Sequence, residues 1–160
     1  MEHVVHQIPP VFDQNSQILI LGSFPSVKSR QARFFYHHPQ NRFWKVLSSL
    51  FDDKLPDTVD EKKDFLIRHQ IAVWDVIASC DIQGSSDSSI QNAKANDLSG
   101  ILKAAPIRQI YTNGGTAYKL YHKYCEPLTG KKAIKLPSTS PANAAFSLER
   151  LIKEWSCLLN

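Results

Sequence analysis

A chain of 160 residues with 42% hydrophobic and 21% charged residues has the composition of an ordinary globular domain that can bury a full core. It contains no apolar run long enough to cross a bilayer, and its first residues form neither a basic leader nor an apolar secretory segment, so we expect a cytoplasmic protein without a membrane partner. The net charge of +4 permits nucleic-acid binding without demonstrating it.

The metal-binding residue types are sparse. The three cysteines, Cys80, Cys125 and Cys157, are far apart and form no CxxC pair. They therefore indicate neither a disulfide framework nor a structural zinc site, and an iron–sulfur cluster of the common kind would need a fourth thiolate. The adjacent pair His37 and His38 has no third ligand close in sequence, so we expect no metal and no other cofactor.

Apolar runs and helical patterns alternate along the chain. The predicted elements are an irregular segment at 1–16, strands at about 17–22, 71–74, 109–112 and 133–136, a loop from 22 to about 40, helices at 42–51 and from 58, a loop at 81–96, and helices at 97–104, 116–124 and through 148–155. Thr58 and Glu61 have capping-box spacing, and the charged residues 60–64 after Thr58 are expected on a solvated face.

This alternation of strands and helices predicts the fold class. Strands separated by helices are typical of an α/β domain, here a three-layer α/β/α sandwich around a central, mostly parallel sheet of about four strands. The sequence contains no repeat, linker or change of composition that would indicate a second domain. We therefore expect a single domain that spans residues 1–160.

Two short segments rich in small residues and proline each follow a predicted strand. We call Gly22–Ser26 (Gly-Ser-Phe-Pro-Ser) the first crevice loop and Pro137–Pro141 (Pro-Ser-Thr-Ser-Pro) the second crevice loop. In an open α/β sheet, loops at the carboxyl ends of strands form the ligand crevice, and their amides and hydroxyls can face an anion or a polar base. Between the two loops lies an aromatic string, Phe34–Trp44, with the sequence Phe-Phe-Tyr-His-His-Pro-Gln-Asn-Arg-Phe-Trp.

Other well-known site motifs are missing from the sequence. Gly22 has no partner glycines for GxGxxG, and GxxxxGK[ST] does not occur, which argues against a Rossmann dehydrogenase and a P-loop enzyme. A small-molecule hydrolase that uses the serines of the crevice loops stays an alternative, but no Gly-x-Ser-x-Gly elbow supports it. The segment 113–115, Asn-Gly-Gly, is by itself typical of a simple turn.

Taken together, the two crevice loops and the aromatic string resemble the uracil-DNA glycosylase superfamily, over about residues 18–155. The string is similar to the mismatch-specific branch, and the crevice loops look most like the hypoxanthine-DNA glycosylase branch. This resemblance implies a monofunctional DNA glycosylase that flips out and excises deaminated bases in base excision repair, chiefly hypoxanthine from deoxyinosine, with uracil as a further base. The partner would be DNA that contains deaminated bases, and we expect a monomer.

The same resemblance assigns roles to individual residues. Tyr36 matches the aromatic residue on which the flipped base stacks, whereas Phe43 and Trp44 are expected to pack in the core. The second crevice loop would hold the phosphate backbone. The implied base-binding set is Gly22, Ser23, Phe24, Tyr36 and Asn113, and the implied DNA-binding set is Pro25, Ser26, Ser138, Thr139, Ser140 and Pro141.

Phe24 departs from the mismatch-specific pattern at a position that matters for catalysis. That branch has a water-positioning Asn there, and a phenyl ring cannot orient water. The hypoxanthine branch shares this absence and is thought to rely on the Asn of the next segment, which makes Asn41 the implied catalytic residue. Asn41 could instead serve only as the cap of the helix that follows, and both roles can coexist.

Two alternatives within the same fold stay open. Phe24 and the basic residues would also suit a catalytically silent module that binds nucleic acid, and the string would suit a G:U or G:T mismatch-specific glycosylase. Basic residues cluster beside both crevice loops, which favours phosphate contacts over a random scatter of cations. These residues are Lys28, Arg30, Arg33, Arg42 and Lys45 near the first loop and Lys131, Lys132 and Lys135 before the second.

Overall fold

The computed structural model describes residues 1–160, which form alternating strands and helices along most of the chain. None of the helices combines the length and the apolar character that crossing a bilayer requires. The seven strands are β1 (Glu2–Val5), β2 (Ile18–Gly22), β3 (Ile71–Asp75), β4 (Ile77–Ile82), β5 (Gln91–Ala95), β6 (Gln109–Asn113) and β7 (Ala133–Leu136). The seven helices are α1 (Val27–Ala32), α2 (Phe43–Leu50), α3 (Val59–Arg68), α4 (Ser99–Ala104), α5 (Gly115–Tyr124), α6 (Glu126–Thr129) and α7 (Leu148–Trp155).

A parallel four-stranded sheet in the order β3-β2-β6-β7 forms the centre of the molecule. In its register Gly22, the last residue of β2, lies opposite Asp75, the last residue of β3. The pairing of β2 with β6 brings Asn113 to the same edge, where it lies opposite Leu136 of β7. The carboxyl ends of all four strands therefore meet at one edge of the sheet.

Helices cover both faces of this sheet, because successive side chains of a strand point to opposite faces. Ile18 and Ile20 of β2 belong to one apolar core with side chains from α2, α3 and α7, whereas Leu19 and Leu21 belong to a second core with side chains from α4 and α5. All four side chains are buried. The predicted α/β/α sandwich with a parallel sheet of four strands is thereby confirmed.

A second sheet, which the sequence did not predict, packs beside the first. It is antiparallel and has the order β1-β4-β5. Strand β1 lies in the segment predicted to be irregular, β5 lies in the segment predicted to be a loop, and β4 lies mostly between the predicted strand 71–74 and that loop. The prediction that residues 1–16 are irregular is thus wrong for Glu2–Val5. These strands escaped notice because β1 and β5 are mostly exposed and polar, so their backbone pairing leaves no apolar run to detect.

Three details of the helices bear on the sequence predictions: one agrees with them and two differ. The capping box at the start of α3 is confirmed, since Thr58 Oγ1 accepts the Glu61 N–H and Glu61 Oε1 accepts the Thr58 N–H. Lys62, however, is buried rather than solvated, and its ammonium lies 5.3 Å from the centre of the Trp44 ring. Helix α1 also lies within the predicted loop after β2, where the Ser26 hydroxyl accepts the Ser29 N–H and caps it.

Candidate functional site

A cleft of about 1020 Å³ opens where the carboxyl ends of the parallel strands meet. Gly22, Asp75, Asn113 and Leu136, the last residues of the four strands, all line it. Every residue predicted from the sequence to belong to the site also lines it, although their roles in binding and chemistry stay predictions. These residues are Gly22, Ser23, Phe24, Pro25, Ser26, Tyr36, Asn41, Asn113, Ser138, Thr139, Ser140 and Pro141.

Three of these residues form a hydrogen-bonded group that we call the amide cluster: Asn41, Asn113 and Thr139. The Thr139 hydroxyl donates to Asn41 Oδ1 over 2.8 Å and accepts from Asn113 Nδ2 over 3.0 Å. The Thr139 backbone N–H donates to Asn113 Oδ1, also over 3.0 Å. One threonine thus fixes the orientation of both amides, which come from distant parts of the chain.

Asn41 both caps a helix and faces the cleft. Its Oδ1 accepts the Phe43 N–H over 3.0 Å, and this N–H is one of the groups that the first turn of α2 leaves without a helical partner. Together with the bond from Thr139, this contact occupies both lone pairs of Oδ1. The amide nitrogen of Asn41 has no partner in the chain, so Asn41 offers the cleft hydrogen-bond donors.

Two members of the predicted DNA-binding set, Pro25 and Thr139, are buried. Thr139 is fully buried, so its side chain cannot contact DNA. Its hydroxyl and its N–H are taken up by the two asparagines, and its carbonyl accepts the Arg42 N–H over 3.1 Å. Ser138, Ser140 and Pro141 beside it are partly exposed.

Tyr36 lies on the cleft with one face of its ring covered. The ring stacks on Phe43 with a centroid distance of 3.9 Å, so a base could stack only on the opposite face. The hydroxyl is buried without a hydrogen-bond partner, and burial together with the nearby Asp75 carboxylate raises the pKa of Tyr36 far above its usual range. Asn113 lies near enough to oppose this shift, although no hydrogen bond of ordinary geometry joins the two groups. The hydroxyl therefore keeps its proton.

Aromatic residues beneath the cleft belong to the core. Phe43 and Trp44 are buried, as predicted. Phe24 is also largely buried and packs edge-to-face on His6, with a centroid distance of 5.9 Å. Because its ring offers no polar atom, the hydroxyl of Ser23 is the polar side chain that the first crevice loop brings to the inner part of the cleft.

A second polar group, the carboxyl cluster, consists of Asp75 with His6 and Asp87 with Ser23. Of these four residues, only Ser23 belongs to the site predicted from the sequence. His6 Nε2 and Asp75 Oδ2 are 2.7 Å apart, and both side chains are almost completely buried. The second carboxyl oxygen, Asp75 Oδ1, has no partner in the chain and packs against Gly22, where any Cβ would collide with it. The same Cβ would lie 2.9 Å from the Tyr36 hydroxyl oxygen, so Gly22 allows these two polar groups to approach each other.

Asp87 supplies the other carboxylate. Ser23 Oγ donates to Asp87 Oδ1 over 2.8 Å, which ties the first crevice loop to the loop that follows β4. Although part of Asp87 is open to solvent, the protein around its carboxyl group raises its pKa, and the negative charge of Asp75 adds to that effect. Asp75 could have been found from the sequence, since it directly follows the predicted strand 71–74, where a crevice residue is expected. Asp87 could not, because its serine-rich segment contains no recognisable motif.

Two of the clustered arginines have structural partners. Arg42 donates to the carbonyl oxygens of Ser140 and Asn143, over 2.9 and 3.0 Å, and also to that of Phe146. Arg30 donates to the carbonyl oxygen of Gly84 over 2.8 Å. These two side chains therefore hold the loops around the cleft, and their phosphate contacts stay a prediction. The lysines of the cluster are exposed, and Lys135 lines the cleft.

The fold and the cleft define an open α/β protein with a ligand site at the carboxyl ends of its parallel strands. The family model of the uracil DNA glycosylase superfamily matches residues 9–158. The chain therefore belongs to the uracil DNA glycosylase superfamily.

Individual relatives are similar along most of the chain. A hypoxanthine DNA glycosylase from Methanosarcina acetivorans is 37% identical over 155 residues, which cover 94% of each chain. A hypoxanthine DNA glycosylase from Methanosarcina barkeri is 34% identical over 108 residues, 66% of this chain and 68% of its own. A solution NMR structure of a Methanosarcina acetivorans protein, proposed to be a uracil DNA glycosylase, superimposes with a TM-score of 0.82 and 33% identity, over 97% of this chain and 96% of that one.

Proposed function

We propose that this protein is a monofunctional DNA glycosylase that flips deaminated bases out of DNA and excises them, chiefly hypoxanthine from deoxyinosine and also uracil, in base excision repair. Membership of the superfamily and the similarity to two hypoxanthine DNA glycosylases support the class of reaction and the base. The observation that carries the proposal is the arrangement of hydrogen-bond donors and acceptors on the two sides of Gly22.

That arrangement suits the base edge produced by deamination. Asp75 ends the strand on one side of β2 and Asn113 ends the strand on the other side. Neighbouring strands are about 4.8 Å apart, so the ends of these two strands lie about 10 Å apart on either side of Gly22. Deamination turns the ring nitrogen beside the exocyclic group from an acceptor into an N–H donor and the amino group into a carbonyl. A carboxylate acceptor and amide donors match this lactam edge, whereas adenine presents the reverse pattern.

In this proposal Asn41 acts as a hydrogen-bond donor to the departing base. Cleavage of an N-glycosidic bond passes through an oxocarbenium-like sugar while negative charge develops on the base. Because both lone pairs of Asn41 Oδ1 are occupied, its free N–H groups are what it can offer, and they would stabilise that charge. Thr139 would hold this amide in place, so its contribution to the site would be positioning rather than contact with DNA.

Asp75 would accept the lactam N–H through its free Oδ1, and Tyr36 would stack on the base through the ring face opposite Phe43. Ser26 of the first loop and Ser138, Ser140 and Pro141 of the second are partly exposed and would contact the DNA backbone. Lys135, which lines the cleft, would add a phosphate contact, so binding should weaken steeply as the salt concentration rises. We also expect a monomer located in the cytoplasm.

A second function is favoured by one observation: Phe24 leaves the first crevice loop without a water-positioning amide. The same fold could then bind damaged DNA without cutting the glycosidic bond. The superfamily's base-flipping geometry would be kept in this case, because it depends on the cleft and not on the hydrolytic step.

One experiment separates these functions. End-labelled duplexes containing a single deoxyinosine, a single deoxyuridine, a G:T mismatch or no lesion are incubated with excess protein and then treated with alkali. We expect rapid base release from deoxyinosine, slower release from deoxyuridine and no strand break before alkali. Binding of the deoxyinosine duplex without release would support the silent module, and preferred cleavage at G:T would support the mismatch-specific alternative. Strand breaks before alkali would contradict the monofunctional mechanism.

A further inference from the structure

His6 lies outside the span that the superfamily model matches, which starts at residue 9, yet it contacts Asp75, which lines the cleft. Its side chain is only 1% exposed. Three aromatic rings surround it: Phe24, Phe35 and Trp74, with centroid distances of 5.9, 6.2 and 6.3 Å. An N-terminal residue therefore fills the space behind the carboxylate that ends β3.

The hydrogen bonds of His6 define its protonation. The Ile8 backbone N–H donates to His6 Nδ1 over 3.2 Å, and a backbone N–H can only donate. Nδ1 must therefore carry the lone pair, which makes the ring neutral and places its one N–H on Nε2. That N–H donates to Asp75 Oδ2 over 2.7 Å. Asp75 thus receives one fixed donor from behind.

The segment on either side of His6 is anchored firmly. Val5 pairs with Ser79 of β4, and the His6 N–H donates to the Ala78 carbonyl. On the other side, Trp74 Nε1 donates to the Ile8 carbonyl over 3.0 Å. The imidazole is consequently held on both sides by backbone contacts, and a ring held in this way can fix the carboxylate that it contacts.

We propose that His6 is a positioning residue for base selection: by holding Asp75 Oδ2, it keeps Oδ1 turned towards the cleft as the acceptor for a lactam N–H. The N-terminal segment then completes the base-reading site. This inference rests on the proposed function of Asp75. It assigns His6 no contact with the base, so its effect must act through Asp75 and must concern the choice of base more than DNA binding.

The test compares two amides that differ by one methylene. The Nε2 of a glutamine can take the place of the His6 Nε2 and donate to Asp75. The side chain of an asparagine is one methylene shorter, so its nitrogen does not reach Asp75. The probe is the ratio of single-turnover excision rates for deoxyinosine and for purine deoxyriboside, whose base lacks both the carbonyl and the N1–H. Intrinsic leaving-group differences cancel when this ratio is compared between variants.

We expect His6→Asn to lower the deoxyinosine-to-purine ratio roughly tenfold, the effect of one lost hydrogen bond to a charged group, and His6→Gln to restore most of it. His3→Asn is the matched control, because His3 also pairs with an aspartate, Asp81, over 2.9 Å but on the surface, and it should leave the ratio unchanged. In an Asp75→Asn background, His6→Asn should cause no further change in the ratio.

The outcomes separate this inference from the function on which it rests. If the wild type releases no hypoxanthine, the proposed function is wrong. If the wild type is active but His6→Asn and His6→Gln have the same ratio of excision rates, the positioning role is overturned. This holds both when that ratio equals the wild-type value and when it is lowered equally in the two variants. Thermal melting of each variant identifies a general loss of folding, which would lower both rates together and leave their ratio intact.

Discussion

The amide cluster and the carboxyl cluster flank the same glycine but differ in how the chain builds them. The amide cluster joins Asn41, Asn113 and Thr139, which face the cleft as donors or orient those donors. The carboxyl cluster supplies acceptors, and its members Asp75 and Asp87 each rely on one partner from a separate segment. The donor half of the site is therefore carried by short sequence motifs, whereas the acceptor half depends on tertiary packing.

The largest expected effect lies in the amide cluster. Asn41→Ala removes the free amide donors, and single-turnover excision of hypoxanthine should fall about a hundredfold or more, as is typical for one positioned catalytic group. Loss of the cap should cost about 1 kcal/mol of stability. Asn41→Asp keeps the oxygen that accepts the Phe43 and Thr139 hydrogens but replaces the donor with a second acceptor, so it should restore stability and not activity. Near-normal excision by a folded Asn41→Ala variant would reduce Asn41 to a helix cap.

The next effect tests the acceptor half. In Asp75→Asn, the N–H of His6 Nε2 requires an acceptor, so the new amide must turn its oxygen to His6 and its NH₂ to the cleft. The group at position 75 that faces the base edge then changes from a hydrogen-bond acceptor to a donor. The excision rate of deoxyinosine should fall roughly tenfold to a hundredfold, and the excision rate of purine deoxyriboside should fall less. Asp81→Asn, which alters an exposed His–Asp pair, is the control. An unchanged ratio of the two rates would mean that Asp75 does not read the base.

The sequence predicts the donor half better than the acceptor half, because only buried strands leave an apolar run in the sequence. The central strands were predicted because Ile18–Leu21 and the runs like it are buried, and the crevice loops because they follow those strands. The acceptor half was missed because its segments are polar: β5 has no apolar face to detect, and His6 lies in a segment without periodicity. Asp75 marks the boundary between the two cases. Its position at a strand end was visible in the sequence, but its buried partner was not.

A smaller effect should come from Thr139, which orients the amides without facing DNA. Thr139→Val keeps the shape and the backbone bonds but removes the hydroxyl that joins Asn41 to Asn113. Excision should fall about tenfold and the free energy of unfolding by about 1–3 kcal/mol, because two buried hydrogen bonds are lost. Thr112→Val is a matched control, since Thr112 is also fully buried but its hydroxyl has no partner. It should leave stability unchanged or raise it; equal losses in both variants would argue against a special role for Thr139.

The smallest effect concerns the pH dependence of stability in the carboxyl cluster. Burial, together with the charge of Asp75, raises the pKa of Asp87, so the folded state binds the Asp87 proton more tightly than the unfolded state does. The favourable contribution of this carboxyl is complete below its ordinary pKa of about 3.9 and is lost as the pH rises through the raised value. The asparagine of Asp87→Asn cannot ionise. The melting temperature of this variant should therefore rise relative to that of the wild type as the pH increases from about 4, and the difference should then stay constant.

Asp81, in strand β4, provides the opposite sign. Hydrogen bonds from Asn92 and His3 lower the pKa of Asp81, so its stabilising contribution is present above the ordinary value and is lost as the pH falls through the depressed one. The melting temperature of Asp81→Asn should therefore decrease relative to that of the wild type as the pH rises through the acidic range, whereas that of Asp87→Asn should increase relative to it. Melting curves of the three proteins between pH 3 and 8 at one salt concentration measure both trends. If the curves of the two variants move in the same direction relative to the wild type, the burial of the Asp87 carboxyl group beside Asp75 is not what sets its pKa.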